Sequence, residues 1–240
     1  MPRTSRLELA GAIHHITAKS PSRRLLFHDD DDRQRYLQLL AREVREREWR
    51  LLTYCQLSNH LHLLLETAER DLGAGLKRIH EDYGRSVNHR RDESGHVFGA
   101  RFYNRIVRNE RHLLACLRYI ARNPVEAGIC RNACDWPWSG HRALAGLTDS
   151  PAFLNVDAAY EHLGRDAHEA RANYRRLVAR SDEALLADLQ RAYPDHWPSI
   201  ARHDFGVATR DIASHLGVSL STAYARLAKL DRNEGTVPIF

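Results

Sequence analysis

Residues Asn59 to Glu66 read Asn-His-Leu-His-Leu-Leu-Leu-Glu, a short apolar run with two histidines two residues apart. In a β-strand successive side chains alternate between faces, so His60 and His62 project to one side while Leu61, Leu63 and Leu65 project to the other. The two imidazoles can then converge on one cation. Glu66 shares their face if the strand runs that far, and is a candidate to add a hard oxygen ligand. A strand of this kind needs partners for its edges and a cover for its leucine face, so it constrains everything around it.

The surrounding sequence supplies both. GAIHHITA, from Gly11 to Ala18, reads as a β-branched strand carrying His14 and His15, one of which faces either the core or the site. Asp29 to Asp32 then lead into Tyr36, Leu37, Leu39, Leu40 and Val44. Their spacing predicts an amphipathic helix with its acidic residues at the N-terminal end, where the helix dipole favours them. WRLLTYCQL, Trp49 to Leu57, is a strand that a Ser58-Asn59 turn joins to the histidine strand as a hairpin. Helical spacing returns from Leu72 to about Arg90, through Leu76, Ile79, Tyr83 and Val87. VFGARFYNRIV, Val97 to Val107, reads as a further strand. It interleaves Phe98, Phe102 and Tyr103 with Arg101 and Arg105, a mixture suited to stacking on bases and pairing with phosphates.

From Glu110 to Asn123 the pattern is again helical, with Leu113, Leu117 and Ile120 as a core stripe. Tyr119 and Asn123 fall on roughly the opposite face, one turn apart. Arg118 and Arg122 flank the tyrosine and are placed to hold a phosphate or to lower its pKa from the ordinary value of about 10. Pro124 is expected to end this helix, because a residue before proline is biased away from helical geometry. The two tryptophans of CDWPWS, Cys134 to Ser139, read as a latch closing the first domain.

The 240-residue chain has room for one substantial core with an appendage, and its formal charge is +5. Arginine far outnumbers lysine, and the planar guanidinium fork suits phosphate, so a nucleic-acid partner is favoured over an acidic small molecule. Cys55, Cys116, Cys130 and Cys134 form no Cys-x-x-Cys pair, which argues against a disulfide framework or a structural zinc site. No apolar run is long enough to span a bilayer. A cytoplasmic protein without membrane contact is the expectation.

Residues 141 to 200 read as alanine- and arginine-rich helical pieces that connect to a second signal near the end. Thr209 can cap a helix bearing Ile212, Ala213 and Leu216; Gly217 permits a left-handed turn; Ser221 to Leu230 form a second helix. This is helix-turn-helix spacing, and it offers Ser221, Thr222, Tyr224 and Arg226 to a major groove.

Taken in order, HHIT, FHDDDDRQRYLQLL, YCQLSNHLHLLLET, NHRRDESGHVFGARF and LLACLRYIARNPVEAG resemble the REP-associated tyrosine transposases, relatives of the single-tyrosine insertion-sequence transposases. The similarity covers roughly residues 5 to 140. It implies an α+β fold: a ferredoxin-like antiparallel sheet with helices on one face, here followed by an all-α C-terminal region. The implied organisation is a catalytic domain at 1–140, a helical connection at 141–200 and a helix-turn-helix region at 201–240.

The resemblance makes His60 and His62 the metal-binding pair, Tyr119 the nucleophile and Asn123 the third ligand, for which Glu66 is the rival from the strand pattern. It implies Mg²⁺ or Mn²⁺ as cofactor and hairpin-forming single-stranded DNA as partner, with duplex DNA a further partner for the helix-turn-helix. It leaves a monomer or a homodimer open. A DNA-binding regulator that no longer cuts is the alternative. The chain departs from the family pattern at Ser86, where a second aromatic is common, and at Gly99-Ala100, which replace the more usual Gln-Gly.

Overall fold

The computed structural model describes residues 9–234, apart from 22–23, 100, 181, 204–206 and 208. The expected 1–140 and 201–240 regions therefore each extend partly outside the described residues, as does Ala100 of the Gly99-Ala100 departure. Four strands, β1 (Ile13–Lys19), β2 (Arg50–Gln56), β3 (His60–Glu66) and β4 (Tyr103–Ile106), form one sheet in the order β2-β3-β1-β4. Every neighbouring pair is antiparallel. Helix α1 (Asp30–Glu46) connects β1 to β2, and α2 (Leu72–Arg91) connects β3 to β4. This β-α-β-β-α-β order is the ferredoxin-like arrangement of an α+β protein.

The histidine strand is central because its alternation serves both faces. Leu61, Leu63 and Leu65 are fully buried with Ile16 of β1, Tyr36 and Leu40 of α1, and Leu76, Ile79 and Tyr83 of α2. Each such side chain contributes roughly 1.5–3 kcal/mol on burial. Helix α1 starts where its composition predicts: the Asp29 carboxylate caps the Asp32 amide at 2.9 Å. Arg90 and Arg91, at the end of α2, pair with Asp29 and Asp32, so the acidic start of one helix is neutralised by the basic end of the other.

The opposite face is covered as well. Helix α3 (Glu110–Glu126) lays Leu113, Cys116, Leu117 and Ile120 into a second core with Leu52, Cys55 and Leu64 of the sheet. Beyond a 3-10 turn at Ala133–Asp135 follow α4 (His141–Leu144), α5 (Val156–Tyr160), α6 (Ala167–Ala179), α7 (Asp182–Ala192) and α8 (Trp197–His203). Tyr174 and Leu177 of α6, Leu185 and Leu189 of α7, and Trp197 and Ile200 of α8 continue the same core outward from α3. The tryptophan segment lies along the free edge of β2: Gln56 N donates to Trp138 O at 2.9 Å and Trp136 Nε1 donates to Gln56 O at 2.9 Å.

Two expectations are corrected. The strand read over 97–107 is only β4. Gly99 N donates to Lys19 O at 3.0 Å while its Cα packs so near Pro21 that a Cβ would lie 2.7 Å from Pro21 Cα. The chain therefore crosses the end of β1 before it can pair alongside. Helix α3 also runs through Pro124. One proline near a C-terminus removes a single helical hydrogen bond. The end is set instead by Gly128 at φ 69°, with Gly128 N donating to Val125 O and Ile129 N to Pro124 O, each at 2.9 Å, the two bonds of a Schellman motif.

At the far end α9 (Thr209–Leu216) and α10 (Leu220–Glu234) form a helical hairpin around Gly217 at φ 63°. Ile212, Ala213, Ala223 and Leu227 are buried between elements, and Ser219 Oγ caps the Thr222 amide at 3.2 Å.

Candidate active site

The antiparallel register decides which side chains share the face opposite Leu61, Leu63 and Leu65. Thr17 lies across from His62, Lys19 across from His60, and His15 across from Leu64; Tyr103 and Arg105 of β4 stand opposite Thr17 and His15. Helix α3 crosses this face and brings Tyr119 and Asn123 to the histidines of the same chain. His60 Nε2 lies 3.2 Å from Asn123 Oδ1. The Tyr119 ring meets His62 edge-on at a centroid distance of 5.2 Å and His15 at 6.0 Å.

The hydrogen bonds select the tautomer of His62 and leave His60 two, since each of its ring nitrogens faces a carboxamide oxygen. His60 Nδ1 lies 2.7 Å from Asn59 Oδ1; with its proton donated there, Nε2 presents a lone pair to the carboxamide oxygen of Asn123. Two acceptors then face each other, an arrangement a cation resolves. His62 Nδ1 lies 3.1 Å from Thr17 Oγ1 and 3.2 Å from His15 Nε2. A proton on that nitrogen satisfies both neighbours and leaves the Nε2 lone pair, which is buried with no hydrogen-bond partner. Metal-bound histidines are held in this way by the second ring nitrogen. Burial first, then Lys19, pushes the His60 pKa down to about 4. Burial, then His15 and His60, holds His62 well below the usual histidine range. Neutral imidazoles are what a cation requires.

Among the described residues no group of three or more His, Cys, Asp and Glu could hold a metal; the oxygen that lies against His60 Nε2 is that of the Asn123 carboxamide. Two imidazole nitrogens, one of them an orphaned buried lone pair, and an amide oxygen fit a divalent cation with positions left open for phosphate oxygens. Glu66 is not brought to this point. It shares the face but lies beyond Leu64 and accepts from Arg50 Nη1 at 3.0 Å.

Several expected contacts fall elsewhere. Tyr119 does not stand on an uncovered helix face; it is 8% exposed within the second core. Arg118 is turned away from the site, because α6 and α7 cover that side of α3, and its Nε and Nη2 donate to the carbonyl of Arg180 at 3.1 and 2.5 Å. Arg122 pairs with Glu126 at 2.8 Å. Phe102 is buried with the α1 and α2 core, not offered to bases. Arg105 does reach the site face and donates to Tyr103 Oη at 2.9 Å, while exposed Arg101 shares a cleft of about 380 Å³ with Thr17, Lys19 and Tyr103. On α10, Ser221, Thr222, Tyr224 and Arg226 are all exposed.

Sequence reasoning passed over Thr17 and Lys19 and left His15 undecided between core and site. Alternation along β1 was the available signal, since it puts all three on the face opposite Ile16. His14 points the other way and bonds Asn104 Oδ1 at 3.0 Å.

A ferredoxin-like sheet with a histidine pair is faced here by a helix carrying a tyrosine and a carboxamide one turn apart, the arrangement that the resemblance to single-tyrosine transposases implies. Comparison with known families agrees. Residues 10–123, just under half of the chain, match the family model described as "Transposase IS200 like". A solved structure of a REP-associated tyrosine transposase bound to a REP hairpin has the same fold, with a TM-score of 0.53 and 22% identity, covering 62% of this chain and 88% of that one. No curated protein matches the chain.

Proposed function

We propose that this protein nicks and rejoins single-stranded DNA at hairpin-forming palindromic repeats, with Tyr119 as the nucleophile. The observation that carries the reading is the meeting of His60 Nε2 with Asn123 Oδ1 at 3.2 Å, beside the orphaned His62 Nε2 and under the ring of Tyr119. His60, His62 and Asn123 would hold Mg²⁺ or Mn²⁺, which when bound supplies charge stabilisation to the scissile phosphate. Thr17 and His15 keep the His62 ring oriented. Lys19 and Arg105 add positive charge on the same face and offset the strand's negative charge.

Tyr119 loses its phenolic proton as its oxygen bonds to phosphorus, the bond from phosphorus to the 3′ oxygen breaks, and that oxygen leaves as a 3′-hydroxyl. The 5′-phosphotyrosine conserves the bond energy for a later strand transfer without ATP. The hairpin bound in the structurally similar transposase supports a REP-type hairpin as substrate.

The catalytic work is assigned to residues 1–140, with 141–200 bracing α3 from behind. The 201–240 region is assigned to duplex binding through Ser221, Thr222, Tyr224 and Arg226. Among the described residues no helix is long and apolar enough to cross a membrane; a DNA substrate supports a cytoplasmic site of action. The test is incubation of end-labelled hairpin strands with protein and Mn²⁺. Nicking with a covalently retained 5′ fragment, abolished by EDTA, is expected. Specific binding without any nicking would favour a non-cleaving regulator.

A further inference from the structure

A groove lined by none of the site histidines opens beside Gly99 and Arg101. It has a volume of about 790 Å³ and lies between α2 and the crossing segment that precedes β4, in the upper part of the range of about 300–1,000 Å³ for ligand sites. Its wall holds Phe98 stacked on His80, with centroids 3.8 Å apart and planes 18° from parallel. Exposed Lys77, Arg85 and Arg101 line it, and Glu81, 3.7 Å from Lys77, is the only carboxylate among the lining residues.

Gly84 gives a second, independent observation. It stands in the interior of α2, where glycine costs about 1 kcal/mol relative to alanine. Packing does not require it, because the nearest atom to an added Cβ is Val97 Cγ2 at 3.9 Å. Its effect is to keep the groove open. The groove also communicates with the active site: Gly99 and Arg101 line both it and the smaller cleft that contains Thr17 and Lys19, and Thr17 Oγ1 lies 3.1 Å from His62 Nδ1.

We infer that this groove is the track for the unpaired strand next to the scissile phosphate, with bases held against the His80–Phe98 wall and phosphates against Lys77, Arg85 and Arg101. An aromatic wall beside a row of cations is the chemistry that binds single strands with little sequence preference. The inference rests on the nicking reading above but fails separately from it.

Gly84→Leu fills the groove and Gly84→Ala is its control. Both are expected to melt no lower than wild type. Fluorescence anisotropy with a labelled oligothymidine should show wild-type affinity for Gly84→Ala and affinity weaker by roughly tenfold or more for Gly84→Leu, the effect of displacing a stacked base. Should Gly84→Leu misfold, Lys77→Ser with Arg101→Ser gives the second arm. The slope of log affinity against log salt should then fall by about 1.4, or about 0.7 for each cation removed from a phosphate. Unchanged oligothymidine binding in folded Gly84→Leu, or an unchanged slope in the double variant, overturns the groove. Covalent retention of the hairpin strand by those same variants would leave the nicking reading intact, whereas wild type that retains no strand overturns the reading itself.

Discussion

Replacing His15 by phenylalanine isolates what holds the His62 imidazole, proposed above as a metal ligand, in place. His15 is 2% exposed, and its Nε2 is one of two acceptors for the Nδ1 proton of His62, at 3.2 Å beside Thr17 Oγ1 at 3.1 Å. Phenylalanine keeps a ring in the same buried space but removes the acceptor, leaving Thr17 alone to fix both tautomer and ring orientation. Changes to such supporting partners lower metal affinity by about 10- to 100-fold, or about 1.4–2.7 kcal/mol. The fold should be retained, since burial already holds His15 neutral, with its pKa pushed down to about 3 by desolvation and then by Arg105. The assay is titration with Mn²⁺, following the free-ion signal by electron paramagnetic resonance, with circular dichroism to verify folding. Mn²⁺ affinity equal to wild type in a folded His15→Phe protein would refute the argument. So would a loss as complete as that of His62→Ala, because His15 would then be doing more than positioning.

Three further outcomes follow from the packing and the outer helices. His141 is 6% exposed, and burial pushes its pKa down to about 4 from 6.5; the unfolded chain takes up a proton that the folded chain refuses. This group therefore costs stability as pH falls from 6.5 towards 4, amounting to about 2 kcal/mol at pH 5, and urea unfolding should show a shallower loss between pH 7 and pH 5 in His141→Gln. Gly75→Ala should destabilise the protein by about 1–3 kcal/mol in thermal melts, because its Cβ would sit 2.3 Å from Trp49 Cη2. Arg226→Ser, on the exposed face of α10, should reduce the salt slope of duplex binding by about 0.9 while leaving retention of the hairpin strand unchanged.

The parts of this architecture that were legible in the sequence are those where one periodicity answers to one buried face. The leucines of β3 and the stripes of α1 and α2 announce the first core, and the spacing of Tyr119 and Asn123 announces a shared helix face. What covers a face is a matter of distant chain. Arg118 reads as a phosphate ligand until α6 supplies the Arg180 carbonyl it serves, and Phe102 reads as a base-stacking residue until the crossing segment carries it into the α1 and α2 core. The choice between Asn123 and Glu66 likewise rests on where α3 crosses the sheet. Strand alternation put Glu66 on the histidine face, but its distance along the strand and its pairing with Arg50 keep it from the site.

The central claim is that Tyr119 is the residue that takes the DNA strand. Trypsin, cutting after Arg118 and Arg122, releases the tyrosine in the short peptide Tyr119-Ile120-Ala121-Arg122. Mass spectrometry of protein incubated with the hairpin strand and Mn²⁺, digested with nuclease and trypsin, should find this peptide carrying a 5′-nucleotide through a phosphodiester to the tyrosine oxygen, and should find no such adduct in Tyr119→Phe. A nucleotide mapped to another residue, an adduct that persists in Tyr119→Phe, or a nicked strand with no peptide attached would contradict it.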